Sequence, residues 1–261
     1  MRHYALIGNP LGHSWSQRLF EESVPAGEAD YSLCPMPSLD GLRHWVAENG
    51  ICGFNVTSPY KEAILPLLDE VSPTAREIGA VNCVKVAGGR LHGYNTDAPA
   101  FRQTLETAIR QSNIVDQADG TPQAIEQSFI LGTGGAARAV AYALRQMGIA
   151  HTFVSRRPED REKRNETWRV IGYNELATCD LQSTILINAT PVGTWPNVDA
   201  TPLPHPPASS FTLVYDLIYN PSPTRLMKEC AKRGAKATGG LAMLRLQAKL
   251  SRDIFFTDIT D

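Results

Sequence analysis

The stretch Ser128–Arg156, SFILGTGGAARAVAYALRQMGIAHTFVSR, decides how the chain is read. A short apolar run gives way to a glycine turn, then to an alanine-rich segment with helical periodicity, then to a second apolar run. Strand, turn, helix, strand is the unit from which parallel sheets are built, so the segment argues for an α/β architecture. Gly132, Gly134 and Ala137 fit the spacing G-x-G-x-x-G/A between strand and helix. The first glycine allows the tight turn, the second lets backbone approach a pyrophosphate, and the small third residue lets helix pack on strand. Backbone N–H groups at the helix start, around Gly134, Gly135 and Ala136, would hold the phosphates of a dinucleotide. A glycine-rich turn without a ligand is the bland alternative.

The end of the second strand refines this reading. Where an NAD-specific fold places an acidic residue for the ribose 2′-hydroxyl, this chain has Ser155-Arg156-Arg157. Two guanidinium groups suit a 2′-phosphate through charge-assisted, often bidentate bonds, which favours NADP (NADPH) over NAD. The competing reading of SRRPEDREKR is a charged, solvated loop, because Glu159, Asp160 and Glu162 follow.

Working outward, APAFRQTLETAIRQ before this unit is an amphipathic helix, and the polar run SNIVDQADGTPQ is a loop. Further upstream, NCVKVAGGRLHGYNTD reads as two short strands around a Gly88-Gly89 turn. The chain opens β-α-β-α. YALIG is a strand, SWSQRLFEESV a helix with Ser14 or Ser16 as a possible cap, DGLRHWVAENG a helix and GFNVT a strand. TWPNVDATPLPHPP is a Pro-rich loop. LAMLRLQAKLSRDIFF, after Gly239-Gly240, is an amphipathic helix with no strand to join, so it either caps the second domain or packs back on the first. The boundary is expected near Asp97, between an N-terminal α/β part and the dinucleotide-binding unit.

With 261 residues, 43% of them hydrophobic, the chain can bury a sizeable core. A net charge of -2 with scattered basic residues gives no footprint for nucleic acid or a membrane surface, so small soluble partners are expected. Cys34, Cys52, Cys83, Cys179 and Cys230 lie far apart with no CxxC pair, which points to neither a metal site nor a disulfide framework. Without a long apolar run, the protein is expected in the cytoplasm.

One stretch resists a purely structural reading. In FNVTSPYKEAI, Phe54–Ile64, a lysine opens a helix, where the macrodipole is positive and disfavours a cation. It is either a solvated surface residue or a placed charge.

Taken together, GNPLGHSWS, NVTSPYK, GAVNCV, GYNTD, LGTGGAARA, NATPVG, YDLIYNPSPT and GLAMLRLQA occur in the order found in the shikimate dehydrogenase family, which the chain resembles from Gly8 to about Ala248. The resemblance implies an α/β substrate domain over 1–97 completed by the returning helix, 239–261, a Rossmann-like dinucleotide-binding domain over 98–238, and a cleft where they meet. It implies that Lys61 is the catalytic lysine and Asp97 its partner carboxylate, the lysine stabilising charge on a reduced ketone oxygen and donating a proton. By motif match, Ser14 and Ser16 bind the substrate carboxylate, Thr57, Asn82 and Gln247 bond ring hydroxyls, and Tyr219 lies near the carboxylate. Thr190 and Gly240 join the cofactor residues. Taken from their own positions, Ser14 and Ser16 serve equally well as helix caps, and Asn82 and Asn95 as turn brackets. His13 matches no ligand or triad spacing and is given a supporting hydrogen bond.

The chain departs from the family at Gln17 and the LFEE that follows, at Cys83 where threonine is common, at Ser155 and Arg157 where Asn and Thr are common, and at Ala242 for a glycine. These spare Lys61, Asp97, Ser14 and Ser16, and so bear on substrate affinity more than on chemistry. The implied activity is NADP-dependent reduction of 3-dehydroshikimate to shikimate in aromatic amino-acid (chorismate) biosynthesis, by a monomer or homodimer. The alternatives are a quinate/shikimate dehydrogenase and a non-catalytic nucleotide-binding regulator, which would have no need of the Lys61–Asp97 pair.

Overall fold

The computed structural model describes all residues except His13, 113–124, 161–167, 204–209 and 258–261. The expectations for His13, for nearly all of SNIVDQADGTPQ, for the later part of SRRPEDREKR, for four residues of the Pro-rich loop and for the last four residues fall outside the described set. The chain forms two compact units: Met1–Ala100 with the residues from Arg245 onward, and Phe101–Leu244.

The first unit is built on a six-stranded mixed sheet. Its strands are β1 (Arg2–Gly8), β2 (Ala29–Pro35), β3 (Ile51–Val56), β4 (Glu70–Val71), β5 (Cys83–Ala87) and β6 (Arg90–Tyr94), in the order β2-β1-β3-β5-β6-β4. β1 is parallel to both neighbours, and the hairpin β5–β6 adds antiparallel to β3. Its Gly88 and Gly89 have positive φ, as the Gly-Gly turn requires. β2 is absent from the β-α-β-α reading: ADYSLCP is an edge strand with only Tyr31 buried, so it carries little apolar signal. Between strands lie α1 (Ser16–Glu21), α2 (Leu42–Glu48), α3 (Tyr60–Ala63) and α4 (Pro73–Ile78).

Side chains alternate across a strand, and β1 buries both of its faces. Ala5 and Ile7 join a cluster with Val46, Phe54, Val56 and Ile64. Tyr4 and Leu6 join the opposite cluster with Phe20, Tyr31, Cys83 and Phe255. Phe255 belongs to the last helix, which resolves where that helix goes. Its ring stacks on Tyr4 at 4.8 Å between centroids and lies against Gly53, where an added Cβ would sit 2.7 Å from Phe255 Cδ1. The helix therefore packs on the first unit's sheet through a glycine that leaves room for an aromatic ring.

The second unit holds six parallel strands, β7 (Gln127–Leu131), β8 (Ala150–Ser155), β9 (Val170–Gly172), β10 (Thr184–Asn188), β11 (Leu213–Asp216) and β12 (Lys236–Gly239). Their order is β12-β11-β10-β7-β8-β9, so the sheet is doubly wound and reverses direction between β7 and β10. α5 (Asp97–Gln111) leads into this unit, α6 (Gly135–Gln146), α7 (Tyr173–Leu176) and α8 (Arg225–Ala231) lie within it, and α9 (Leu241–Phe256) leads out. TILIN and LVYD are buried at every position, as central parallel strands covered on both faces must be. No described helix is long and apolar enough to cross a membrane.

Candidate active site

Strand direction gathers the polar residues of the first unit at one edge of its sheet. The parallel strands β1 and β3 end at Gly8 and Val56. β5 runs the other way and begins at Cys83, paired with Asn55, while β6 ends at Tyr94, paired with Cys83. Thr57, Asn82 and Asp97 thus sit just past, just before and just past strand ends that are neighbours. Thr57 is anchored by its N–H on Ile7 O at 2.9 Å. Lys61 is the second residue of α3, and its carbonyl accepts from Val81 N at 2.7 Å, which ties the short helix to the turn before β5.

Lys61 Nζ lies 2.7 Å from Asp97 Oδ2, with the lysine side chain 17% exposed and the carboxylate 7%. This is the answer to the cation at a helix start: α3 is a single turn, and the charge is held by the acid that opens α5. Asp97 Oδ1 accepts from Asn82 Nδ2 at 3.0 Å. Asn82 also donates to Thr96 Oγ1 at 2.9 Å and accepts from Thr96 N at 2.7 Å, so its amide has one orientation. Gln247 Oε1 on α9 lies 3.5 Å from Asn82 Nδ2. Asn95 brackets its turn as the sequence allows, donating to Ala80 O and accepting from Ala98 N.

Ser14 and Ser16 are both half-buried and bonded to each other, Oγ to Oγ at 3.1 Å, with Ser16 N on Ser14 Oγ at 3.2 Å. Neither serine is the residue at the cap position, which is Trp15 and makes no side-chain cap bond; Ser14 Oγ instead accepts from the N–H of Ser16, the first residue of α1.

The second unit collects the other candidates at the carboxyl ends of its central strands. Gly132 follows β7 with φ +99, a left-handed value that only glycine adopts without strain, and its N–H bonds Val154 O at 2.9 Å. A Cβ there would also lie 3.1 Å from Thr190 Cγ2, so Thr190 stands against the glycine turn where the strand order reverses. Gly134 precedes α6 and has no side chain to cap it, and Gly135 and Ala136 begin the helix, the arrangement that an anion-binding helix start uses. Ser155 ends β8, its Oγ accepts from Arg157 N at 3.1 Å, and Arg156 and Arg157 are exposed. Gly240 donates to Ile218 O at 3.0 Å, and Tyr219 is the next residue along that loop.

Sequence reasoning missed a buried carboxylate. Asp216, at the end of β11, accepts from Asn188 Nδ2 at 3.0 Å, Ile218 N at 3.1 Å and Thr224 Oγ1 at 2.7 Å. Burial pushes its carboxyl up to about 6, against the pull of these three donors. Asn188 Oδ1 accepts in turn from both the N–H and the hydroxyl of Thr190. The signal was a polar residue closing each of two short strands with apolar centres, TILIN and LVYD.

Residues 6–84 match the family model described as the shikimate dehydrogenase substrate binding domain. The shikimate dehydrogenase (NADP(+)) of Salinibacter ruber is 37% identical over 270 residues, covering 93% of this chain and 88% of that protein. The chain belongs to the shikimate dehydrogenase family. Its solved relatives agree. The chorismate mutase/shikimate 5-dehydrogenase fusion protein of Clostridium acetobutylicum superposes with a TM-score of 0.84 at 33% identity, over 98% of this chain and 91% of that one. The shikimate 5-dehydrogenase of Thermus thermophilus, solved in complex with NADP(H) and shikimate, gives 0.79 at 33% identity over 100% and 95%. The fold is the family's, an N-terminal α/β substrate domain and a Rossmann-like domain.

Proposed function

We propose that this member of the shikimate dehydrogenase family reduces the ring ketone of 3-dehydroshikimate to the alcohol of shikimate, reversibly and with NADPH. The observation that carries the reading is the 2.7 Å pair of Lys61 and Asp97, held nearly out of solvent at the polar edge of the substrate domain. NADPH, when bound, supplies the hydride. Lys61 then meets the negative charge that develops on the ketone oxygen and donates the proton that completes the alcohol; in reverse it accepts that proton. Asp97 holds the ammonium in place and restrains its rotamers, and Asn82 orients Asp97 through Oδ1.

Ser14 and Ser16 present hydroxyls for the substrate carboxylate, while Thr57 with its hydroxyl and Asn82 and Gln247 with their side-chain amides serve ring hydroxyls, with Tyr219 near the carboxylate. In the second domain, Gly132, Gly134, Gly135 and Ala136 fit a pyrophosphate, Ser155, Arg156 and Arg157 a ribose 2′-phosphate, and Thr190 and Gly240 the remainder of the dinucleotide. The fit rests on the glycine turn that opens α6 and on a β8 terminus that carries arginines and no acid. All five cysteines are free thiols, which supports a reducing compartment such as the cytoplasm.

The test is NADPH oxidation by the purified protein with 3-dehydroshikimate and, separately, 3-dehydroquinate. Turnover of the first well above the second is expected. Turnover of the second alone would replace the reading with quinate dehydrogenation, and nucleotide binding without turnover of either would point to a regulator.

A further inference from the structure

Behind Asp97 runs a chain of buried hydrogen bonds that reaches the last helix. Thr96 Oγ1, which receives Asn82 Nδ2, lies 3.1 Å from Ser251 Oγ of α9. Ser251 Oγ accepts from Asn55 Nδ2 at 2.8 Å, and the other hydrogen of that amide goes to the carbonyl of Asn82 at 3.0 Å. Asn55 Oδ1 is taken by the hydroxyl of Tyr31 at 2.9 Å. Tyr31, Asn55, Asn82, Thr96 and Ser251 are all at most 9% exposed, Ser251 only 1%. Asn82 is thus gripped twice, by its side chain through Thr96 and by its backbone carbonyl through Asn55, and Ser251 joins the two grips.

We propose that Ser251 is a positioning residue for the Lys61–Asp97 pair, acting through Thr96 and Asn82, with Asn55 and Tyr31 as its support. The proposal rests on the catalytic reading of that pair. Besides Asp97, the titratable groups facing the network include Tyr31, whose hydroxyl burial holds well above its ordinary value, with Cys34 near it, and Cys83, whose thiol burial pushes up to about 12 against a bond from Ser251. Tyr31 and Cys83 are neutral at pH 7, and Lys85, near Cys83, turns its ammonium to the carbonyl of Thr257. Removing the Ser251 hydroxyl leaves an Asn55 N–H and the Thr96 hydroxyl without that partner in a buried site. They recover bonds only by moving, and the movement is passed to the Asn82 amide that fixes Asp97 Oδ1.

The test compares Ser251→Ala, Ser251→Thr, Tyr31→Phe and the core variant Val46→Ala, which removes buried volume on the other face of the sheet. Two quantities are read: the pH profile of kcat, and the titration of the Lys61 side chain by NMR in the unliganded protein, with its signal identified from Lys61→Ala. Ser251→Ala is expected to lower kcat by about five- to fiftyfold with little change in KM and to move both pH curves. Ser251→Thr, which keeps the hydroxyl, should restore them, and Tyr31→Phe should move them less. Unmoved curves in Ser251→Ala, with a loss of melting temperature like that of Val46→Ala, would overturn the proposal. Should the wild type fail to turn over the ketone, the catalytic reading falls, and the titration by itself decides whether Ser251 is coupled to Lys61.

Discussion

Asp216 and Asn188 close adjacent parallel strands with a 3.0 Å hydrogen bond, and through Thr190 they tie a buried carboxylate to the glycine turn of the second domain. An acid whose folded value is about 6 against an ordinary 3.8 binds its proton more tightly when folded. Its contribution to stability is therefore full below about pH 4 and is lost as pH rises to about 6. Asp216→Asn does not titrate. The difference in unfolding free energy, wild type minus variant, should fall between about pH 4 and 6 and be flat above. Melting curves across pH 4–8 check this, and a difference that rises with pH would contradict it.

Gly53 allows Phe255 to lie on β3, with Val84 O also only 3.1 Å from where a Cβ would be. Gly53→Ala forces the ring away from its stack on Tyr4. A loss of about 1–3 kcal/mol is expected from such overpacking, read by urea denaturation of the whole chain.

The layout of the fold was legible where the pattern was local. The glycine turn of Gly132 and Gly134, the hairpin at Gly88-Gly89 and the span of α9 could be read directly, since each rests on a backbone requirement or a helical period. β2 was not legible, because an edge strand with one buried side chain has no apolar run. The candidate site was legible through family motifs, which named Lys61 and Asp97. Thr96, Asn55 and Ser251, which hold Asn82 behind that pair, lie in three separate segments, and only strand register and the return of α9 bring them together. A polar side chain within a strand or helix carries no sign of its partner. For the same reason the sequence left Ser14 and Ser16 open between capping and binding, a choice that depends on the geometry of one turn.

With their hydroxyls 3.1 Å apart and assigned to the substrate carboxylate, replacing both Ser14 and Ser16 with alanine should raise KM for the ketone substrate, by about five- to a hundredfold for two lost hydrogen bonds to a carboxylate. NADP affinity should stay unchanged. Steady-state kinetics with a parallel nucleotide titration check this; a fall in melting temperature with KM unmoved would return the serines to a structural role.

Arg156 stands exposed just past the end of β8, where no acid is present. Charge-assisted bonds to a phosphate are worth about 1.5–3 kcal/mol, so Arg156→Ala should weaken NADP about ten- to a hundredfold and NAD little. Arg157→Ala should do less. Binding titrations with both nucleotides check this, and parallel losses would mark the arginines as a solvated loop.

The Lys61–Asp97 pair bears the chemistry in this account, and its most direct test is the steady-state kinetics of Lys61→Ala with NADPH and 3-dehydroshikimate. The account predicts a fall in kcat of roughly two to four orders of magnitude with a much smaller change in KM, as loss of a group acting mainly in the transition state requires. Near-normal turnover by this variant would contradict it.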